Sequence, residues 1–336
     1  MVFCWHFNHS ANGYPVAFNY SPELFPLSLL DEGHTGVALF MTLSGYLFAK
    51  LLQGKDIHFL PFIYNRVLRL GPLLLVALTI GACIELINDR PLNHFWSRVY
   101  EGAVKPTLPN GGWSITVELH YYLLLPLLLF LYKRSALWLP SLIICSLSIR
   151  CYLWLQNGEV QSLAYWTIIG RFDQFLFGML AFKYKHLIKN QHAITCITLL
   201  VFSYGYWLFD VHGGFYNKGS YPSQSAIWIF LPSVEGFCYA AGIAWYVESF
   251  QHNGQGWLSR IFSQMGEFAY SIYLLHFFFV FILARFVHEN IMDLSNFYVS
   301  TIWAVGFYFL MWPLGWLSMN LIERPFLKLR RAYIKK

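Results

Sequence analysis

Charge is scarce in this chain: Asp, Glu, Lys and Arg make up 12% of 336 residues, against about a quarter in soluble domains. No block of like charge stands out, no low-complexity tract appears, and no segment repeats. These absences exclude a disordered protein, a nucleic-acid binder and a repeat array. The six cysteines, Cys4, Cys83, Cys145, Cys151, Cys196 and Cys238, lie inside apolar stretches without paired metal-ligand spacing. That excludes a zinc site and a secreted disulfide scaffold, and leaves them as small core residues. No basic segment with a small-residue cleavage site opens the chain, so a signal peptide is not expected.

What remains is 57% hydrophobic and 20% aromatic, with a mean hydropathy of +0.46. Apolar windows near the roughly 20-residue length that crosses a bilayer predict an all-α, polytopic membrane bundle of about ten helices in one domain over 1–336. The windows are the stub 1–8, then 36–53, 68–87, 117–132, 136–155, 164–182, 192–210, 225–247, 268–288 and 298–322. The stub is too short to span and stops at the polar Asn8-His9-Ser10-Ala11-Asn12-Gly13 turn. It reads as the end of a helix whose start codon has been placed late.

Net charge is 23 − 17 = +6. With the N-terminus cytoplasmic, sixteen of the 23 Lys and Arg residues fall in inward loops and the tail, among them Lys50, Arg66, Lys133, Lys185, Arg330 and Lys336. Arg90, Arg98, Lys105 and Lys218 face outward. The bias predicts both termini in the cytoplasm.

Ionisable side chains within spans are expensive and mark bundle interiors or watery cavities. His6, His34, Glu118, Arg171, Asp173, Glu235 and His276 are such residues. The inferred topology brings His6, His34 and Glu118 to one depth near the outer mouth. A neutral imidazole beside a carboxylate suits general-base chemistry, because the carboxylate stabilises the imidazolium formed when a proton arrives. A headgroup-level hydrogen-bonding role is the alternative for each histidine alone. On the inward side Arg66 and Arg69 stand at i and i+3, on one helix face, where two guanidiniums can grip a phosphate or simply anchor the helix. Leu43-Ser44-Gly45-Tyr46 places a small pair in mid-span, where backbones can approach closely. Tyr273 and His276 share a face. Arg171 is a candidate oxyanion partner, with structural pairing to Asp173 as its alternative. Trp5, Tyr14 and Trp113 can stack on sugar faces or belong to interface belts.

These motifs, in this order, resemble the acyltransferase-3 family of membrane-bound O-acyltransferases, which includes bacterial O-antigen acetylases. Met1 through Phe7 looks like the end of the first helix, whose signature is an arginine, ten residues, then a histidine. Gly33 through Leu47 is similar to G-x-x-G-V-x-x-F-F-x-L-S-G-F/Y-L, and Phe62 through Pro72 to F-x-x-x-R-x-x-R-x-x-P. Trp113 through Tyr122 resembles W-S-L-x-x-E-x-x-F-Y, and Arg171 through Gly178 R-F-x-x-F-x-x-G. Tyr270 through His276 and the closing Ile322-Glu323-Arg324-Pro325 complete the set.

The resemblance implies transfer of an acyl group, most often acetyl, from cytoplasmic acyl-CoA to a hydroxyl of a cell-surface carbohydrate or its lipid-linked precursor, at the plasma membrane. No metal or resident cofactor is implied. By carry-over His6 is the base and Glu118 a site carboxylate, Arg66 and Arg69 lie on the acyl-CoA side, and Arg171 and His276 line the pore. His34, Ser44, Trp113 and Tyr273 are further substrate contacts, with Ser44 the nucleophile if transfer runs in two steps. The sequence departs from the pattern where the signature arginine would precede Met1, at Ala38 and Met41 in the second helix, and in having no fused hydrolase-like domain. A flippase for a lipid-linked sugar and an inactive relative are the rival readings.

Overall fold

A computed structural model describes residues 1–336 apart from 11–12, 136, 217–219, 251–255 and 336. Lys218 and Lys336, used in the charge-bias reading, therefore lie outside the described residues. The chain is helical nearly throughout. In chain order the principal helices are α1 (Val2–Asn8), α2 (Gly36–Leu52), α3 (Phe59–Ile87), α4 (Leu92–Glu101), α5 (Trp113–Arg134) and α6 (Trp138–Asn157). They continue as α7 (Gln161–Trp166), α8 (Ile168–Lys183), α9 (His192–Val211), α10 (Ile227–Ser249), α11 (Trp257–Glu267), α12 (Ala269–Leu275), α13 (Val280–Asn290), α14 (Phe297–Leu310) and α15 (Trp312–Ser318). One small hairpin, His9–Ser10 with Tyr14–Pro15, follows α1.

Each of the ten apolar windows is helical, but they are not ten equivalent spans. Seven helices among the described residues are long and apolar enough to cross a membrane. The window 268–288 is the pair α12 and α13, which meets at a 55° bend. The window 164–182 contains α8, a helix of 16 residues. Hydropathy counts apolar residues and cannot tell a lipid-facing span from a helix sheathed by its neighbours, and α8 is the latter. Arg171, Asp173, Gln174, Phe175, Leu176, Gly178 and Met179 are all buried along it, against α2, α6 and α10.

The seam between α2 and α8 is a close backbone approach. A Cβ built on Gly45 would lie 2.0 Å from the carbonyl oxygen of Phe175, and one on Gly178 2.0 Å from that of Thr42. Only glycine permits backbones this near, which is the physical content of the Ser44-Gly45 pair. The outer helices show the opposite pattern. Leu123, Leu127 and Phe130 on α5 and Ile194, Ile197 and Val201 on α9 are exposed in stripes, as lipid-facing residues are. Cys83, Cys145, Cys151 and Cys196 are exposed as well, so Cys4 and Cys238 alone match the expectation of core cysteines. Pro72, Pro126 and Pro232 sit inside α3, α5 and α10, where bundle packing accommodates the missing N–H donors.

Two ends of the bundle matter below. At the His34 end lie the hairpin and the starts of α2 and α5. At the Asp56 end the tail folds back: Tyr333 accepts from the His58 N–H at 2.7 Å, and the Lys335 N–H donates to the Asp56 carbonyl at 2.8 Å.

Candidate active site

At the His34 end the structure divides residues that the sequence reading grouped. The His6 ring packs 5.4 Å from His276, 4.5 Å from Phe277 and 5.8 Å from Phe281, and no ion pair joins it to a carboxylate among the described residues. His34 instead holds Nε2 2.8 Å from Glu32 Oε2, inside a ring of aromatics with Phe215 at 4.8 Å and Trp5 and Tyr165 each at 5.3 Å. Glu32 also accepts from the Phe215 N–H at 3.1 Å.

His9, weighed in the sequence like His34 as a headgroup-level hydrogen-bonding histidine, also holds a carboxylate. Its Nε2 lies 2.9 Å from Asp31 Oδ1 while Nδ1 donates to the Val16 carbonyl at 3.0 Å. Burial opposes charge on this ring, but the Asp31 hydrogen bond and charge, with the Val16 carbonyl and Glu32, together raise its pKa. An imidazole with acceptors at both nitrogens is a cation holder, not a base. The partner stands 22 residues away across the hairpin, so nothing in the spacing announced it.

Away from these histidines, the Arg66 guanidinium is boxed by Phe48 and Phe62 at 5.4 Å and Tyr122 at 5.9 Å. Its Nε is buried without a hydrogen-bond partner. The Tyr122 hydroxyl donates to Glu118, so Glu118 is joined to the Arg66 box rather than to His6 or His34. Arg69 turns away to Glu323, 2.6 Å distant, where Ser271 also donates. The two arginines thus do not close on one ligand as a pair. Ser44 is buried in the α2–α8 seam.

Arg171 and Asp173 are not partners. Asp173 binds Arg150 at 2.7 Å, with both side chains fully buried, because Arg150 on α6 reaches across to donate also to the carbonyls of Gly170 at 2.6 Å and Ile229 at 2.8 Å and to Ser233 at 2.7 Å. Arg150 went unremarked in the sequence, although an arginine inside the 136–155 window meets the same criterion as the others. Arg171, 1% exposed, lies instead on the faces of Tyr165 at 4.3 Å and Trp113 at 5.4 Å. It donates to Gln174 Oε1 at 3.2 Å and to the Tyr165 carbonyl. Its charge has no carboxylate within ion-pair distance among the described residues. Glu235 is taken up by Gln174 and Tyr206, each at 3.0 Å.

Ser114 donates to the Tyr273 hydroxyl at 2.7 Å, which donates onward to the Gly111 carbonyl at 3.0 Å. His276 directs Nδ1 at the carbonyls of Ile272, 3.2 Å, and Tyr273, 2.5 Å, and its Nε2 is buried without a partner. Ser114, Glu118, Tyr273 and His276 line a single cavity of about 360 Å³, walled otherwise by apolar side chains such as Phe3, Val37 and Ile272. The cavity therefore reaches from the ring partner of His6 to the carboxylate tied to the Arg66 box.

The model of a family described as an acyltransferase domain matches residues 1–318. The chain belongs to the acyltransferase-3 family. No curated protein and no solved structure matches it. In this acyltransferase the first-helix histidine stands beside His276, just past α12, the α5 carboxylate on the α3 arginine box, and the α8 arginine between aromatics. The membrane class follows from the same match and from the seven apolar helices.

Proposed function

We propose that this acyltransferase carries an acyl group, acetyl foremost, from acyl-CoA entering at the Asp56 end to a hydroxyl of a carbohydrate received at the His34 end. It would sit in the plasma membrane with both termini in the cytoplasm, acting on a cell-surface glycan or its lipid-linked precursor. The observation that carries this reading is the cavity joining His276, beside His6, to Glu118, beside the Arg66 box.

His6 takes the proton of the acceptor hydroxyl as that oxygen attacks the thioester carbonyl. The tetrahedral intermediate collapses by breaking the C–S bond, and the proton held on His6 goes to the departing thiolate, so ester and free CoA are the products. General-base help of about 10²–10⁴, with two substrates held in one cavity, suffices for an activated thioester. Arg171, with no carboxylate in ion-pair distance among the described residues, would stabilise the developing oxyanion. Glu118 accepts from Tyr122 and holds that hydroxyl against the Arg66 box.

The test follows radiolabel from acetyl-CoA into membrane glycans. His6→Ala should lower incorporation at least 100-fold while melting temperature and CoA binding stay at wild-type values. Incorporation within a few-fold of wild type would refute the base assignment.

A further inference from the structure

The tail beyond residue 318 lies outside the family match, yet it is built into the Asp56 end of the site. Asn65, the neighbour of Arg66, clamps it: its Nδ2 donates to the Arg331 carbonyl at 2.7 Å and its Oδ1 accepts from the Arg331 N–H at 2.9 Å. Tyr333 packs on Phe62, a wall of the Arg66 box, at 5.6 Å, the Arg331 guanidinium lies 4.8 Å over Tyr64, and a bridge joins Ile57 to Ile334. A strap held this way fixes the residue before Arg331 close to the start of α3.

That residue is Arg330, whose side chain is solvent-exposed. Partial burial, then the positive charges of Arg66 and Arg69, hold its guanidinium below the usual arginine range. The carboxylates nearby are already engaged: Glu323 by Arg69, Asp56 by Lys133 and Glu267 by Arg324. Among the described residues no carboxylate pairs with Arg330, and the Nε of Arg66 is buried and unpartnered. The Asn65 clamp sets Arg330 next to the turn that carries Arg66, and two neighbouring guanidiniums without a carboxylate suit an anion, phosphate oxygens best.

We propose that Arg330, presented by the tail strap, forms with Arg66 a phosphate-binding rim for the nucleotide end of the acyl donor. Arg330 meets the phosphates at the mouth and Arg66 the chain leading inward. This inference rests on acyl-CoA being the donor.

The experiment measures CoA binding to the full chain in nanodiscs of phosphatidylcholine, and repeats it with phosphatidylglycerol added. Arg330→Gln should weaken CoA binding roughly tenfold, the loss of about one charge-assisted contact, with Arg330→Lys intermediate. Adenosine 3′,5′-bisphosphate should compete with CoA on the wild type and poorly on Arg330→Gln. Because the strap is held through the backbone of Arg331, Tyr333 and Lys335, the melting temperature should not move. Unchanged CoA affinity in Arg330→Gln overturns the inference alone. So does an Arg330 effect seen only as lost stabilisation by phosphatidylglycerol, which would make the rim a lipid-headgroup site. A wild type that binds no CoA overturns the donor reading, and this inference with it.

Discussion

Two buried arginines, Arg150 and Arg171, give the sharpest test of how structure and chemistry divide in this bundle. Arg150→Met removes a fully buried partner of Asp173 and leaves that carboxylate with the Ser233 hydroxyl and the Gln174 N–H. Breaking a buried pair from one side costs about 3–5 kcal/mol, and the carbonyls of Gly170 and Ile229 lose donors in the same step. Arg171→Met breaks no ion pair. It forfeits two hydrogen bonds at about 1 kcal/mol each and two ring contacts, offset by no longer burying an unpaired charge, for a net of about 1–2 kcal/mol. Thermal unfolding of purified protein in detergent should therefore rank Arg150→Met well below Arg171→Met. Acyl transfer per folded molecule should rank them in reverse, with Arg171→Met down about 10²–10³-fold. The double variant Arg150→Met with Asp173→Leu should recover much of the lost stability. Equal melting temperatures for the two single variants would refute the reasoning, as would wild-type turnover by Arg171→Met.

Glycine substitutions test the seam. Gly45→Ala and Gly178→Ala, each driving a methyl onto a backbone carbonyl 2.0 Å away, should each cost at least about 3 kcal/mol, the top of the usual overpacking range. Gly205→Ala in α9, with nothing within 4 Å, should be neutral or stabilising by up to about 1 kcal/mol; melting curves of the three check this. The His9–Asp31 pair predicts a pH dependence. With the folded pKa of His9 raised above its ordinary 6.5, its stabilisation is complete below pH 6.5 and lost as pH climbs through the higher folded value. Burial pushes the Asp31 carboxyl upward too, which acts with the same sign. Melting temperature should fall as pH rises from 6 to 9, and Asp31→Asn should flatten that slope.

Much of this was legible in one dimension because lipid makes hydropathy a strong signal, and because a charge inside an apolar run has few explanations. Helix positions, the Ser44-Gly45 approach and the burial of Glu118, Arg171 and His276 inside the bundle came from those two facts. Pairing did not. Glu323 lies 254 residues from Arg69, and Arg150 takes Asp173 from another helix; which cation meets which carboxylate depends on how helices rotate and cross. The same limit explains Glu118. Depth along α5 placed it near the histidines, but its rotation sends it to Tyr122 and the Arg66 box. That α8 is sheathed by α2, α6 and α10 was likewise not legible, because composition carries no record of what surrounds a helix.

The 55° bend after α12 has a chemical consequence. Both carbonyls facing His276 Nδ1 belong to the last turn of α12, and carbonyls accept only, so the proton must reside on Nδ1 and a bare lone pair is left at Nε2. The backbone course of a broken helix thereby dictates which tautomer looks into the cavity. Any motion that drew those two carbonyls away from the ring would free the imidazole to turn over, linking the backbone of α12 to the proton inventory of the interior.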